Sequence, residues 1–321
     1  MFIIKIRGKN IIDNFVFISK VQHIDNKDEI KKSIFCSLDW MKDKGKIDLL
    51  SSSKVLIKPN ICYMKGYETG TTVDPFIVKC IVDWLLENYD LESILIGEAD
   101  ATELDIDIAF KILGWEKTFK GYSRVHLLNL SKDDLVDIEY TDYAFKKLQV
   151  SKKYINCDFL ISVGKLKTHT KTGLTCILKN QFGAITIKKK AQYHKFLDEA
   201  ILEANRIRYP DLCIVDGIIG MEGDGPISGI PKPLGIIVFG NDAVATDYIC
   251  AKIMGLKADR ISHLKLCRLK GLGTLECDTY GENIGNIKNN FKNGEPLWKK
   301  IIVSIYENKI ISRIPIWPKF E

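Results

Sequence analysis

No uninterrupted apolar run in these 321 residues approaches the ~18 that a membrane-spanning helix needs, and charges interrupt the apolar N-terminal stretch too often for a signal peptide. The nine cysteines (36, 62, 80, 157, 176, 213, 250, 267 and 277) stand singly, never as C-x-x-C. That excludes zinc knuckles and ferredoxin-type cluster motifs and reads as thiols of a reducing compartment. Missing too are G-x-x-x-x-G-K-[ST], G-x-G-x-x-G after a strand, H-E-x-x-H and G-x-S-x-G, so P-loop hydrolysis, Rossmann dinucleotide binding, zincin and serine-hydrolase chemistry all lose support. There is no internal repeat and no low-complexity segment. The expectation is a cytoplasmic globular protein without a transmembrane segment.

The absence that says most is local. Between Asp158 and Asp198 there is no carboxylate at all, while eight lysines and two histidines are present. Net charge over the whole chain is only +6, so basic character matters where it clusters, and it carries no strong nucleic-acid signal. Inside the acid-free stretch an apolar run at 159–163 reads as a buried strand, released at Gly164 into Lys165, Lys167, His169 and Lys171 at intervals of two. An extended backbone turns alternate residues one way, so these four would face a common ligand, with Thr168 offering a hydroxyl between them. Such charge just past a buried strand suits an anion, and His169 is the member whose ordinary pKa allows proton exchange near neutrality.

Elsewhere short apolar runs alternate with helical periodicity. A helix is predicted over 27–44. Asp74-Pro75 supplies an N-cap and a first-turn proline for another, and buried strands are expected near 15–20, 54–57, 93–97, 125–130, 212–215 and 234–239. This pattern predicts an α/β protein with a mainly parallel sheet, helices on both faces and doubly wound topology. In it, residues 1–290 form one domain, and a basic amphipathic tail at 291–321 contacts the domain, a partner chain, a second copy or a membrane surface. Strand after strand ends in polar residues: Lys58 and Asn60, Glu98 and Asp100, Lys165 onward, Asp216, then Asn241 and Asp242. Ligands of such sheets bind outside the carboxyl ends of the strands, so these distant stretches are expected to meet in one crevice.

Three further segments contribute to that expectation. Lys179 and Asn180 close a short helix before Gly183. The loop from Asp216 to Pro226 holds three acids and four glycines, and its Asp216, Glu222 and Asp224 are candidate oxygen ligands for a divalent metal such as Mg²⁺, or partners that orient the lysines. Asp242 stands at a helix start, where capping accounts for it, whereas Asp247 a turn further in sits among apolar residues and calls for a partner. In the enzyme reading Lys58, Asn60, Lys165, Thr168, Lys179, Asn180, Asn241, Asp242 and Asp247 hold a phosphorylated or carboxylated small molecule. His169, Lys167 and Asp216 carry the chemistry.

KPN at 58–60, VGKLKTH at 163–169, KN-x-FG at 179–183, DG followed by MEG and GP between 216 and 226, and NDAVA with Asp247 occur in an order and spacing that resemble the family called domain of unknown function 362, over about residues 50–256. The resemblance implies no reaction. Some members carry an appended ferredoxin-like module and are described as iron–sulfur proteins, which would imply a redox accessory role. This chain lacks the clustered cysteines of that form. An RNA-binding module would use the same lysines, but few aromatics interleave them as stacking platforms.

Overall fold

A computed structural model describes residues 14–47, 49–292 and 294, so the expected tail lies, from residue 295 on, outside the described residues. In chain order the elements are β1 (Phe15–Lys20), α1 (Lys27–Asp43), β2 (Lys54–Pro59), α2 (Pro75–Asn88), β3 (Ser93–Glu98), α3 (Ile106–Ile112), α4 (Trp115–Thr118), β4 (Val125–Asn129), β5 (Leu135–Glu139), β6 (Lys147–Ser151), α5 (Lys152–Asn156), β7 (Phe159–His169), β8 (Gly173–Thr175), α6 (Ile177–Phe182), α7 (Leu197–Ile207), β9 (Leu212–Glu222), β10 (Ile230–Gly240), α8 (Ala243–Ile253), α9 (Ser262–Leu269), β11 (Asp278–Gly281) and α10 (Ile284–Ile287).

The chain is mixed α/β. Its large sheet runs β11-β1-β10-β9-β7-β2-β3-β4, with β8 paired to β7, while β5 and β6 form a separate hairpin sheet. The block from β9 to β4 is parallel throughout, and β10 enters antiparallel to both β9 and β1. Apolar residues alternate across the strands, and helices cover both faces. Leu56, Leu160, Leu166, Cys213 and Val215 pack with α6 to α9, whereas Val55, Ile57, Ile161, Val163 and Ile214 pack with α1 to α4.

Local signals set the helix starts. Asn26 accepts from the amides of Asp28 and Glu29 at the head of α1, and Asp74 accepts from Phe76 N ahead of Pro75 in α2. One glycine brings a loop onto the sheet. Gly70 has φ +73°, and a Cβ there would stand 2.3 Å from the carbonyl oxygen of Gly220 on β9. This close approach seats Thr71 beside β7 and β9. Gly70→Ala therefore combines left-handed strain with a backbone clash, and an expected cost of about 2–4 kcal/mol should appear as a lowered urea midpoint at unchanged m-value.

Candidate functional site

The parallel strands end where the polar residues cluster, and the first feature there is a buried ion pair. Lys58, the penultimate residue of β2, is fully buried and places Nζ 2.8 Å from both carboxylate oxygens of Glu98 at the end of β3. It also donates to Asn180 Oδ1 at 3.2 Å. Glu98 takes two backbone amides as well, Ala99 N at 3.0 Å and Ile61 N at 3.2 Å. Burial pushes the Lys58 amine below its usual value against the opposing pull of Glu98. Asn180 ties α6 to the sheet by donating to Lys58 O and to Ser162 Oγ, both at 3.1 Å. Gly183, just past α6, leaves room for the pair, since a Cβ there would meet Lys58 Nζ at 2.8 Å. Asn60 donates to Asn180 Oδ1 at 3.2 Å, while its own Oδ1 is buried without a hydrogen-bond partner.

A second buried pair lies along β7. Lys165 and Asp216 are register partners of β7 and β9, with Nζ 2.7 Å from Oδ2. Asp216 also accepts from Ile218 N at 3.1 Å and Asp74 N at 3.2 Å. Burial, set against the Phe76 amide and reinforced by Asp216, pushes the Asp74 carboxyl up to about 6. Asp216 is thereby engaged by a lysine and two amides. Glu222 is engaged too, pairing with Lys232 at 2.9 Å and accepting from Lys292 N at 3.0 Å.

The expected three-carboxylate cation site does not assemble. Among the described residues no group of three or more His, Cys, Asp or Glu side chains gathers as metal ligands do. The carboxylates are engaged separately, Asp216 by Lys165 and two amides and Glu222 by Lys232 and the Lys292 amide.

Past Lys165 the strand continues into a region richer in cations than in acids. Lys167 is fully buried and has neutral partners: Thr71 O at 2.5 Å, Cys62 Sγ at 3.1 Å and Pro226 O at 3.4 Å. Burial pushes its amine below the usual value. Thr168 turns the other way and donates to Gly223 O at 2.9 Å. His169 Nδ1 accepts from Lys171 N at 3.1 Å and Thr172 N at 3.3 Å, which places the ring proton on Nε2. Burial and then the charges of Lys179 and Lys167 push this imidazole down to about 2. His169 is therefore a neutral donor at physiological pH rather than a proton-exchanging group. Lys171 belongs to the following turn, exposed beside the exposed His194.

The groups that titrate near neutrality are lysines. Burial pushes Lys179 down to about 8, with Cys62 opposing and Lys167 and Lys58 reinforcing. Burial pushes Lys190 down to about 7, with Glu98 opposing and Lys58 and Lys179 reinforcing. Both are half-buried at the rim. Lys190 donates to Gly183 O at 2.7 Å, and Lys179 lies over the Phe182 ring, 4.8 Å from its centroid. Four lysines, 58, 167, 179 and 190, thus lie within electrostatic range of the Glu98 carboxylate, and Lys58 contacts it. His263 on α9 is fully buried with both ring nitrogens unpartnered, and burial together with Lys179 pushes it down to about 3.

The remaining expected ligands sit deeper in the fold. Asn241 Oδ1 accepts from Phe15 N at 3.0 Å, and Asp242 caps α8 by accepting from Ala245 N at 2.8 Å. Asp247 accepts from Ile177 N at 2.8 Å and Leu178 N at 3.1 Å, so it caps α6 from a neighbouring helix, and burial pushes its carboxyl up to about 7. It positions the helix that presents Lys179 and Asn180. Glu98 was expected only as a strand-end residue of the crevice, and Cys62, Lys190 and His263 were not among the expected ligands. The signal for Lys190 was the acid-free stretch itself. Two clefts of about 610 and 560 Å³ lie elsewhere, one beside Phe145 and Tyr193, the other beside Tyr248 and Cys277.

The chain is 33% identical over 120 residues to the thylakoid-associated protein sll1697 of Synechocystis sp., a match covering 35% of this chain and only 37% of that relative's length. Similar solved structures include a Thermotoga maritima protein from structural genomics (15% identity, 77% of this chain and 59% of that one, TM-score 0.38) and the lactate racemase apoprotein of Thermoanaerobacterium thermosaccharolyticum (11% identity, 77% and 58%, TM-score 0.40). Among the described residues no helix is long and apolar enough to cross a membrane. Residues 55–252, which include the strand ends and lysines described above, match the domain of unknown function DUF362, and the chain belongs to that family.

Proposed function

We propose that the protein is an enzyme whose substrate is a small phosphorylated or carboxylated molecule, bound at the rim where Lys179, Lys190 and the Nε2–H of His169 surround the buried Lys58–Glu98 pair. The supporting observation is the imbalance of charge: four lysines around one contacting carboxylate, with two of them held at about 8 and 7. Lysines depressed in this way regain protons when an anion arrives, because its charge offsets both burial and mutual repulsion. Lys58, Glu98 and Asn180 form the rigid floor, and Lys165 with Asp216 extends that floor along β7 and β9. The rim lysines and His169 meet the ligand.

The reading fixes a direction for pH dependence. Lys190 is half-charged at about pH 7 and Lys179 at about pH 8, so the rim approaches full positive charge below about 6.5 and has lost most of it above about 9. Calorimetric affinity for pyrophosphate and for citrate is expected to be highest near pH 6.5 and to fall about 10–100-fold by pH 9. Lys179→Gln should remove the part of that decline centred near pH 8. Absence of binding by either anion, or an affinity flat across this range, would overturn the proposal.

A further inference from the structure

The amine of Lys167 faces a thiol, and the geometry around it is unusually constrained. Two of its three partners are backbone carbonyls, Thr71 O and Pro226 O, which only accept hydrogen bonds. They take two N–H groups. The third direction meets Cys62 Sγ at 3.1 Å, and Thr71 O and Pro226 O also stand 3.6 Å and 3.9 Å from that sulfur, so amine and thiol share one pair of carbonyl acceptors. Burial favours the neutral amine at Lys167, which is the form that accepts a proton. Cys62 itself is half-buried, whereas Cys80, Cys176, Cys213, Cys250 and Cys267 are buried.

Two independent features point to a ligand at this position. Lys179 lies within electrostatic range of both Cys62 and Lys167, so the thiol borders the cationic rim. Two residues before Cys62, the buried Asn60 Oδ1 lacks a donor that a ligand hydroxyl or amine would supply.

We propose that Cys62 is the nucleophile of this crevice, that Lys167 takes its proton, and that the substrate is an anion carrying an electrophilic carbon or acyl centre. The proposal rests on the anion-binding reading above and adds the reacting group and the substrate class. In the step, the thiol proton passes to Lys167 Nζ, which stays bonded to the carbonyls of Thr71 and Pro226. The sulfur electron pair forms the bond to the electrophilic carbon, and the bond from that carbon to its leaving group breaks. The leaving group departs with that electron pair, and the Lys167 ammonium is placed to protonate it. No oxidant or reductant enters.

Iodoacetate and iodoacetamide distinguish this arrangement from an ordinary thiol, because they differ in the carboxylate that the lysines would hold. Alkylation of the full chain at pH 7, followed cysteine by cysteine by peptide mass spectrometry, includes its own control, since Cys36 on α1 is exposed. The iodoacetate-to-iodoacetamide rate ratio at Cys62 is expected to exceed that at Cys36 by about tenfold or more. Pyrophosphate should suppress the excess, and Lys179→Gln should lower the iodoacetate-to-iodoacetamide ratio at Cys62 toward that at Cys36. A Cys62 ratio equal to that of Cys36, or a Cys62 unreactive to both reagents, would overturn the assignment. Pyrophosphate affinity measured on the same sample separates the two readings: binding without the inverted ratio sinks the nucleophile alone, and no binding sinks the anion site.

Discussion

Glu98→Ala is expected to lower stability by about 3–5 kcal/mol, because it leaves the fully buried Lys58 ammonium without its anion. For a chain of this size that is a fall of roughly 4–8 °C in thermal midpoint. Lys58→Met should cost a similar amount, stranding a carboxylate that still holds the amides of Ile61 and Ala99. The double replacement Lys58→Met with Glu98→Leu removes both charges, and most of the loss should return, since a buried pair is often no more stable than an apolar isostere. Thermal melts of the two single variants and the double variant measure this. Strict additivity of the single losses would mean that the two residues do not act as a pair. The distinction bears on function, because a pair that contributes little net stability yet neighbours Lys167, Lys179 and Lys190 is better understood as a fixed floor for the site.

The sequence made the frame of this site legible for local reasons. Asp74-Pro75 and the periodicity of Ile30, Ile34, Leu38 and Met41 place α2 and α1 where they are found, because caps and apolar stripes are encoded within a turn or two. The polar ends of β2 and β3 were readable in the same way, whereas Asp216, expected at a strand end, lies inside β9, which runs on to Glu222. What escaped depends on partners far along the chain. KLKTH after Gly164 reads as a loop, yet β7 runs on to His169, because β9 and β8 supply ladders on either side. Gly164 is needed there for the close passage of Cys176, whose backbone would stand 3.1 Å from a Cβ, and it does not break the strand. Register also explains why Lys165 is neutralised by Asp216 while Lys167, two residues on, is not. Cys62 looked like any buried thiol, since nothing near residue 62 announces a lysine from residue 167. Asp247 was singled out for needing a partner, and its partners are two amides of α6, a contact between helices 70 residues apart that no local pattern encodes.

The largest solution effect is expected where anion binding meets stability. Lys179 and Lys190 carry depressed pKa values of about 8 and 7 in the folded chain, while the unfolded chain keeps lysines near their ordinary value. At these two lysines the unfolded state therefore binds more protons between about pH 7 and pH 10, a contribution that favours the unliganded fold as pH rises. Asp74 and Asp247, raised to about 6 and 7, act in the opposite sense on the acid side of this window, and the thiols of Cys80, Cys157, Cys267 and Cys277, which burial raises to about 12, 11, 12 and 11, act in the opposite sense above about pH 8. An anion at the rim reverses the trend. At pH 7 a ligand present at 100 times its dissociation constant stabilises by about 2.7 kcal/mol, and that gain should shrink toward zero by pH 9.5 as the lysines discharge. Melts with and without pyrophosphate across pH 7 to 9.5 should thus converge as the liganded increment falls. Parallel curves, with an increment independent of pH, would show that the anion is held by groups other than these two lysines.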